Sequence, residues 1–520
     1  MPSGRPSTPR TSRAANSLAT LSTPTERTRT DLALLFGLGA ATLLVHLLTG
    51  GRYGFNRDEL AILDDARHLA WGYVSYPPLT PLLGRISLLL FGTSLTGFRF
   101  FSALLQAMAI VLTGLIAREM GGGRASQLIS AAAAVPFGLA AGALMQYISL
   151  DYFFWVLTAC WLVKLLNTGE PRYFLLIGIS IGLGMLAKYT MLFFAVGVLA
   201  GLLLTGTRKY FRTVWPWLGF LLSLLLVTPN FLWQVHHHFV TYDFLHFIHT
   251  RDIAEGLTRY FVPGQFEMTL LSFPLWIAGV YFCGRHESGR KFRPLLWMYV
   301  VPFAILLLAK GRDYYLAPAY PMLYAAGAVY FENWATRLQP VRTRRVYAAA
   351  AAVLSLSILG ALPFALPLAP AGSSWFRLVD QVNVTFRDEI GWKEFVATLA
   401  NVRDSLPAAE QAHLGILVEN YGEVGAVNLY GPARHLPTAI SGVNSSWARG
   451  FGNPAPQTLI VVGFSRDFLV ANFDSCRLAA QVTNSYGVVN EETTERKDIY
   501  LCGPPRLGWP AFWRNFQYFA

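Results

Sequence analysis

Apolar positions run in long blocks through the first 370 residues, and polar positions are confined to short gaps between them. Stretches such as 34–48 and 191–204 carry no charged side chain. A helix crossing a bilayer needs about 20 mostly apolar residues. On that basis the pattern predicts about eleven spanning helices, near 31–50, 97–117, 125–145, 150–167, 173–187, 190–205, 214–234, 265–283, 295–309, 315–332 and 346–368. The segments near 150–167, 173–187 and 295–309 are short for the task. The stretch 78–92 fits a re-entrant or interfacial helix. A polar loop over 51–81 contains a further helical pattern, and a histidine-rich loop covers 235–262.

The pattern changes near residue 371. Long apolar runs stop, and Asn, Asp, Glu and Gly return. Short apolar runs at 415–418 and 458–462 read as strands, with helical periodicity between them. The expected organisation is a basic, disordered cytoplasmic tail over 1–30, a transmembrane domain over 31–370, and a soluble α/β domain over 371–520. We expect a polytopic α-helical membrane protein with a C-terminal soluble α/β domain.

Composition agrees with this picture. Charged residues make up 14% of the 520 residues, against about 25% in soluble domains. The formal charge of +12 does not point to nucleic acid, because the arginines cluster in short gaps between apolar segments. Such clusters mark cytoplasmic loops. Placing them inside puts the N-terminus inside and the C-terminal domain outside. Of the cysteines, Cys160 and Cys283 fall in apolar segments and read as buried hydrophobes. Cys476 and Cys502 fall in the polar region, where an oxidising compartment would let them pair.

This topology sorts the candidate chemistry. Asp58, Glu59, Asp151, Lys188, Lys310 and Arg312 all fall at helix ends on the outer face. Ionisable groups at membrane depth line cavities or pair with one another. Cations there can neutralise a phosphate, and a carboxylate can take a proton from an attacking hydroxyl or amine. That combination suits sugar transfer from a lipid phosphate.

Several motifs carry a resemblance. The run Tyr53-Gly-Phe-Asn-Arg-Asp-Glu-Leu60, then Arg67-His-Leu-Ala-Trp-Gly-Tyr73 and Tyr76-Pro-Pro78, resembles the first extracytoplasmic loop of family 39 glycosyltransferases. These are the dolichyl-phosphate-mannose protein mannosyltransferase-like enzymes, to which the lipid A aminoarabinose transferases are related. Asp151, Gly184-Met-Leu-Ala-Lys188, Lys310-Gly-Arg-Asp-Tyr-Tyr-Leu-Ala-Pro318 and Tyr320-Pro321 continue the resemblance, as does Glu419-Asn-Tyr-Gly-Glu-Val-Gly425 with Ser441-Gly-Val-Asn444.

The resemblance implies the GT-C membrane fold, a polyprenyl-phosphate-sugar donor, and a lipid, glycan or protein acceptor. It places the protein in a bacterial inner membrane. Asp58 would be the catalytic base, with Glu59 beside it and Asp151 shaping the site. Neighbours on a helix point about 100° apart, so only one of Asp58 and Glu59 should face substrate. Lys310, Arg312 and Lys188 would meet the donor phosphate, and Arg57, Tyr76, Tyr314 and Tyr315 would line the pocket. The reaction would invert the anomeric carbon in one displacement.

Other readings stand beside these. Asp151 also suits a helix N-cap, Lys188 a snorkelling side chain, and the tyrosines an interfacial belt. A second Arg-Asp-Glu at 387–389 reads as a solvated helix start. His246 and His249, at i and i+3, could hold a divalent metal, and no other cofactor is implied. A transporter for an anionic or lipid-linked substrate would also place charges in the membrane, but it would favour internal repeats, and none is evident.

Overall fold

The computed structural model describes residues 24–520. The basic tail therefore lies outside the described residues up to residue 23, and the first helix starts earlier than residue 31. In chain order the helices of the membrane region are α1 (Pro24–Thr49), α2 (Arg57–Arg67), α3 (Leu79–Phe91), α4 (Leu95–Glu119), α5 (Arg124–Gly142), α6 (Tyr147–Thr168), α7 (Tyr173–Ala187) and α8 (Met191–Leu203). Then follow α9 (Trp215–His236), α10 (Val240–Ala254), α11 (Phe261–Thr269), α12 (Phe273–Gly284), α13 (Arg293–Leu308), α14 (Tyr320–Ala335) and α15 (Pro340–Ala365).

Each of the eleven predicted segments is helical. Among the described residues, eight helical segments are long and apolar enough to cross a membrane. A ninth arises if α8 and the 3-10 turn Gly206–Arg212, bent by 98°, count as one span. At 15 and 16 residues, α7 and α14 fall short. The reason is clearest for α14. Its residues from Tyr320 to Val329 are all buried inside the bundle, so it presents little surface that lipid must cover. The histidine-rich stretch is not an irregular loop, because α10 occupies most of it.

The polar gap after α1 is ordered by α2. Asn56 caps it, and the Glu59 carboxylate accepts from the Asn56 N–H, forming a capping box. The helix is amphipathic. Leu60, Ile62 and Leu63 pack into a core shared with the C-terminal region.

That region contains α16 (Ser374–Asp380), α17 (Trp392–Asp404), α18 (Ala408–Gln411), α19 (Tyr421–Tyr430), α20 (Arg466–Asn472) and α21 (Trp509–Arg514) around one sheet. Its strands are β1 (Leu414–Val418), β2 (Ala439–Ile440), β3 (Thr458–Val462), β4 (Cys476–Gln481) and β5 (Asp498–Cys502), in the order β2-β1-β3-β5-β4. β1 runs parallel to β2 and β3, and β5 runs antiparallel to β3 and β4. β1 is buried on both faces, which explains its continuous apolar run. Cys476 and Cys502 face each other across β4 and β5 and form a disulfide.

The C-terminal region sits directly on α2. Val424, Ala426 and Val427 of α19 share a core with Leu60 and Leu63. The helices cross at Gly425, where an added Cβ would stand 2.4 Å from the Leu60 carbonyl oxygen. Any larger residue there would push the two helices apart.

Candidate active site

A cavity of about 530 Å3 lies where the spanning helices meet the C-terminal region. Residues at i, i+3, i+4 and i+7 share one face of a helix. On α2 that face is Asp58, Ala61, Ile62 and Asp65, and all four line the cavity. The start of α6 contributes Tyr147, the α7–α8 junction Lys188, α10 Asp252, and the α13–α14 link Lys310, Arg312, Tyr314 and Tyr315. The C-terminal region closes the wall with Tyr421 and Asn444.

Asp58 is held by neutral partners. Gln146 Nε2 donates to Oδ2 at 2.7 Å, and the Tyr421 hydroxyl donates to Oδ1 at 3.0 Å. Burial pushes its carboxyl above the ordinary value, and the Tyr421 hydrogen bond opposes that rise. The result is a carboxylate oriented by two donors and neutralised by no direct ion pair.

Glu59 is placed elsewhere. It is fully buried and receives Arg99 Nη2 at 2.6 Å, together with the N–H groups of Met145 at 2.8 Å and Asn56 at 3.0 Å. Its carboxylate is used up in the framework, and it does not line the cavity. Arg57 also turns away, against the expectation that it lines the pocket. It pairs with Asp388 at 3.1 Å and Glu491 at 2.6 Å in the C-terminal region.

The second Arg-Asp-Glu is not solvated. Glu389 is 2% exposed and accepts from Arg99 at 3.0 Å, while Arg387 pairs with Asp380 at 2.7 Å. Glu59 and Glu389 therefore share one guanidinium, and Asp388 meets Arg57. The two tripeptides interlock, which corrects the reading of 387–389 as a solvated helix start.

Asp151 lies one layer behind the wall. It accepts from Trp155 Nε1 at 2.9 Å and from the Thr190 hydroxyl at 2.8 Å, and Thr190 itself lines the cavity. The three cations differ. Lys188 Nζ is buried without a hydrogen-bond partner among the described residues. The rings of Tyr315, Tyr314 and Tyr147 surround it at 4.3, 5.0 and 5.1 Å. Arg312 is bound at both ends to Asp252, with Nε–Oδ2 and Nη2–Oδ1 each at 2.5 Å. Lys310 is exposed at the cavity mouth, with a left-handed backbone at φ 50°. Tyr76 lines the wall and donates to Asp65 at 2.7 Å. His249 lines the cavity and His246 stacks on Tyr242. Among the described residues, no group of three or more His, Cys, Asp or Glu could hold a metal.

Sequence reasoning missed Asp64 and Asp65. Both are bound by Arg449, with Nη2–Oδ1 of Asp65 at 2.5 Å. The helical spacing from Asp58 was the available signal for Asp65. It also missed Tyr421 and Asp252, whose positions depend on contacts far along the chain.

The family of dolichyl-phosphate-mannose-protein mannosyltransferases matches residues 75–233. Undecaprenyl phosphate-alpha-4-amino-4-deoxy-L-arabinose arabinosyl transferase 1 of Pseudomonas fluorescens is 29% identical over 282 residues, covering 49% of this chain and 49% of that protein. The chain thus aligns with about half the length of this curated relative. Two crystal structures of ArnT from Cupriavidus metallidurans superpose over most of the chain. The apo form gives a TM-score of 0.57 at 15% identity, covering 91% of this chain and 98% of that one. The form bound to undecaprenyl phosphate gives 0.58 at 14% identity, covering 92% and 99%. The protein is thus a polytopic helical membrane protein with a C-terminal sheet domain, and it has the GT-C fold of those structures.

Proposed function

We propose that the protein is an inverting membrane glycosyltransferase that moves a sugar from a polyprenyl phosphate to an extracytoplasmic acceptor. One observation carries this reading. A single cavity holds Asp58, oriented by neutral donors, and Lys188, a buried cation with no hydrogen-bond partner among the described residues. Such a pair can bind a base-requiring acceptor and a departing anion together. The similarity to an arabinosyl transferase, and the shared fold with a structure bound to undecaprenyl phosphate, support the same donor class. These relatives are transferases, which favours transfer over transport.

In the proposed step, Asp58 accepts the proton of an acceptor hydroxyl or amine. The freed lone pair attacks the anomeric carbon as the bond from that carbon to the phosphate oxygen breaks. Lys188 neutralises the phosphate that leaves, and Lys310 reaches it from the cavity mouth. Arg312, already neutralised by Asp252, fixes the wall. Asp151 acts through Thr190 by holding the α7–α8 junction. Tyr76, Tyr314 and Tyr315 shape the space for the sugar. The membrane is the bacterial inner membrane, the N-terminus is cytoplasmic, and residues 371–520 form an extracytoplasmic domain that covers the cavity.

The test uses purified protein in liposomes with a panel of polyprenyl-phosphate sugars. Free polyprenyl phosphate should appear by mass spectrometry only when acceptor is present. Lys188→Met should lower the rate by about 10²–10³, as for loss of one preorganised charge. Wild-type release by both Lys188→Met and Asp58→Asn would sink the proposal.

A further inference from the structure

A second cavity, of about 540 Å3, lies in the C-terminal region. Its position follows from the sheet topology. The chain leaves β1 for α19, whose Val424 and Val427 pack on the face of Ile416 and Ile460. It leaves β3 for α20, whose Leu469 packs on the opposite face with Leu417 and Val461. The loops after two adjacent parallel strands therefore diverge to opposite faces and leave a crevice at the carboxyl ends. Open α/β sheets bind ligands in such crevices. Glu419 is the first residue after β1, and Gly463, Phe464 and Ser465 follow β3. All four line the cavity.

The wall chemistry selects a ligand class. Phe464 and Phe468 stack at 4.4 Å and form an apolar platform. Around it stand Arg496, Glu495, Asn515 and Gln517. Arg496 is neutralised by Glu419 at 2.6 Å and by Glu491. With Glu495 also on the rim, no uncompensated positive charge faces the space, so it does not suit a phosphate or a carboxylate. Planar amide, guanidinium and carboxylate groups bond neighbouring hydroxyls, and an aromatic platform accepts the C–H face of a ring. Behind the wall lies a further polar atom. Glu423 is fully buried and its Oε1 has no partner among the described residues. It lies directly behind Gly463, where a Cβ would stand 3.2 Å from that oxygen. At 540 Å3 the space falls in the range of about 300–1,000 Å3 typical of small-molecule sites.

We infer that this crevice is a binding site for neutral glycans, separate from the transferase cavity. It also communicates with that cavity. Glu419 lines the crevice, and two residues later Tyr421 bonds Asp58. Glu491, which pairs with Arg496, also pairs with Arg57 beside Asp58. Its use in holding a glycan acceptor rests on the transferase reading, whereas the binding itself does not.

The test is saturation-transfer difference NMR on the full chain in nanodiscs, with maltotriose, cellotriose and mannotriose as probes. At least one should receive saturation. Gln517→Ala and Phe464→Ala should each weaken its binding by about fivefold, the loss expected for one hydrogen bond or ring contact. Asp58→Asn should bind it as the wild type does, even with transfer lowered by about 10²–10⁴. The inference is overturned if none of the three receives saturation, or if both crevice variants bind unchanged. Stronger binding of a galacturonic acid trisaccharide would overturn the neutral class. A chain that binds a trisaccharide but releases no polyprenyl phosphate would leave the crevice standing and remove the transferase reading.

Discussion

The tripeptide Arg-Asp-Glu occurs at residues 57–59 and again at 387–389, and the two copies meet. Their glutamates behave alike, since Glu59 and Glu389 both bind Arg99 inside the protein. Their aspartates do not. Asp388 takes Arg57 as a partner at 3.1 Å, so its charge is cancelled. Asp58 takes only the neutral donors Gln146 and Tyr421 and faces the cavity. The same three residues thus give a clamp at one site and a candidate base at the other. The neighbours decide which carboxylate faces the cavity without an ion-pair partner.

Exchanging the carboxylates tests this contrast most strongly. Asp58→Asn should lower transfer by about 10²–10⁴, the usual worth of a general base. Asp388→Asn leaves Arg57 with Glu491 and should cost no more than about 1 kcal/mol, as for a partly exposed ion pair. Initial rates of polyprenyl phosphate release would show the asymmetry, and equal losses would erase it. Next is the shared clamp. Arg99→Ala leaves two buried carboxylates without their cation and should destabilise the protein by about 3–5 kcal/mol. Thermal unfolding in detergent would read this as a lowered midpoint, and an unchanged midpoint would mean that the interlock holds nothing.

Smaller effects probe Asp58 alone. Tyr421→Phe removes one hydrogen bond and should slow transfer by about threefold to tenfold, in line with about 0.5–1.5 kcal/mol. The pH profile carries the sign. Burial raises the Asp58 carboxyl, so the acid limb of kcat/KM should lie above the ordinary carboxylate value of about 3.9. The Tyr421 hydrogen bond holds that value down, so Tyr421→Phe should move the limb further up. A limb that stays put or moves down would show that Asp58 is not the titrating group.

Much of this architecture could be read from local pattern. Apolar runs located the long helices of the bundle but not α10, and short apolar runs located β1 and β3, because those signals lie within one element. Length and composition alone pick out eight of the described helical segments as spans, because a helix buried inside the bundle, such as α14, is shorter than a lipid-facing one. The direction of Arg57, the burial of Glu389 and the reach of Tyr421 were hidden for a different reason. Each depends on a contact between residues more than 280 positions apart, such as the 290 separating Arg99 from Glu389 and the 363 separating Asp58 from Tyr421. Periodicity along α2 could have nominated Asp65, and the tripeptide itself does not separate Asp58 from Asp388; the run around Asp58 does.

Those separations also set a timetable for biosynthesis. When α2 leaves the ribosome, Glu59 can find Arg99 as soon as α4 is made, since only 40 residues separate them. Arg57 must wait for Asp388, and Asp58 must wait for Tyr421. A chain ending at α15 would contain both members of the Glu59–Arg99 pair but would lack Asp388, Tyr421 and the wall that the C-terminal region gives the cavity. Completion of the cavity thus requires the sheet domain, the last part of the chain to be synthesised.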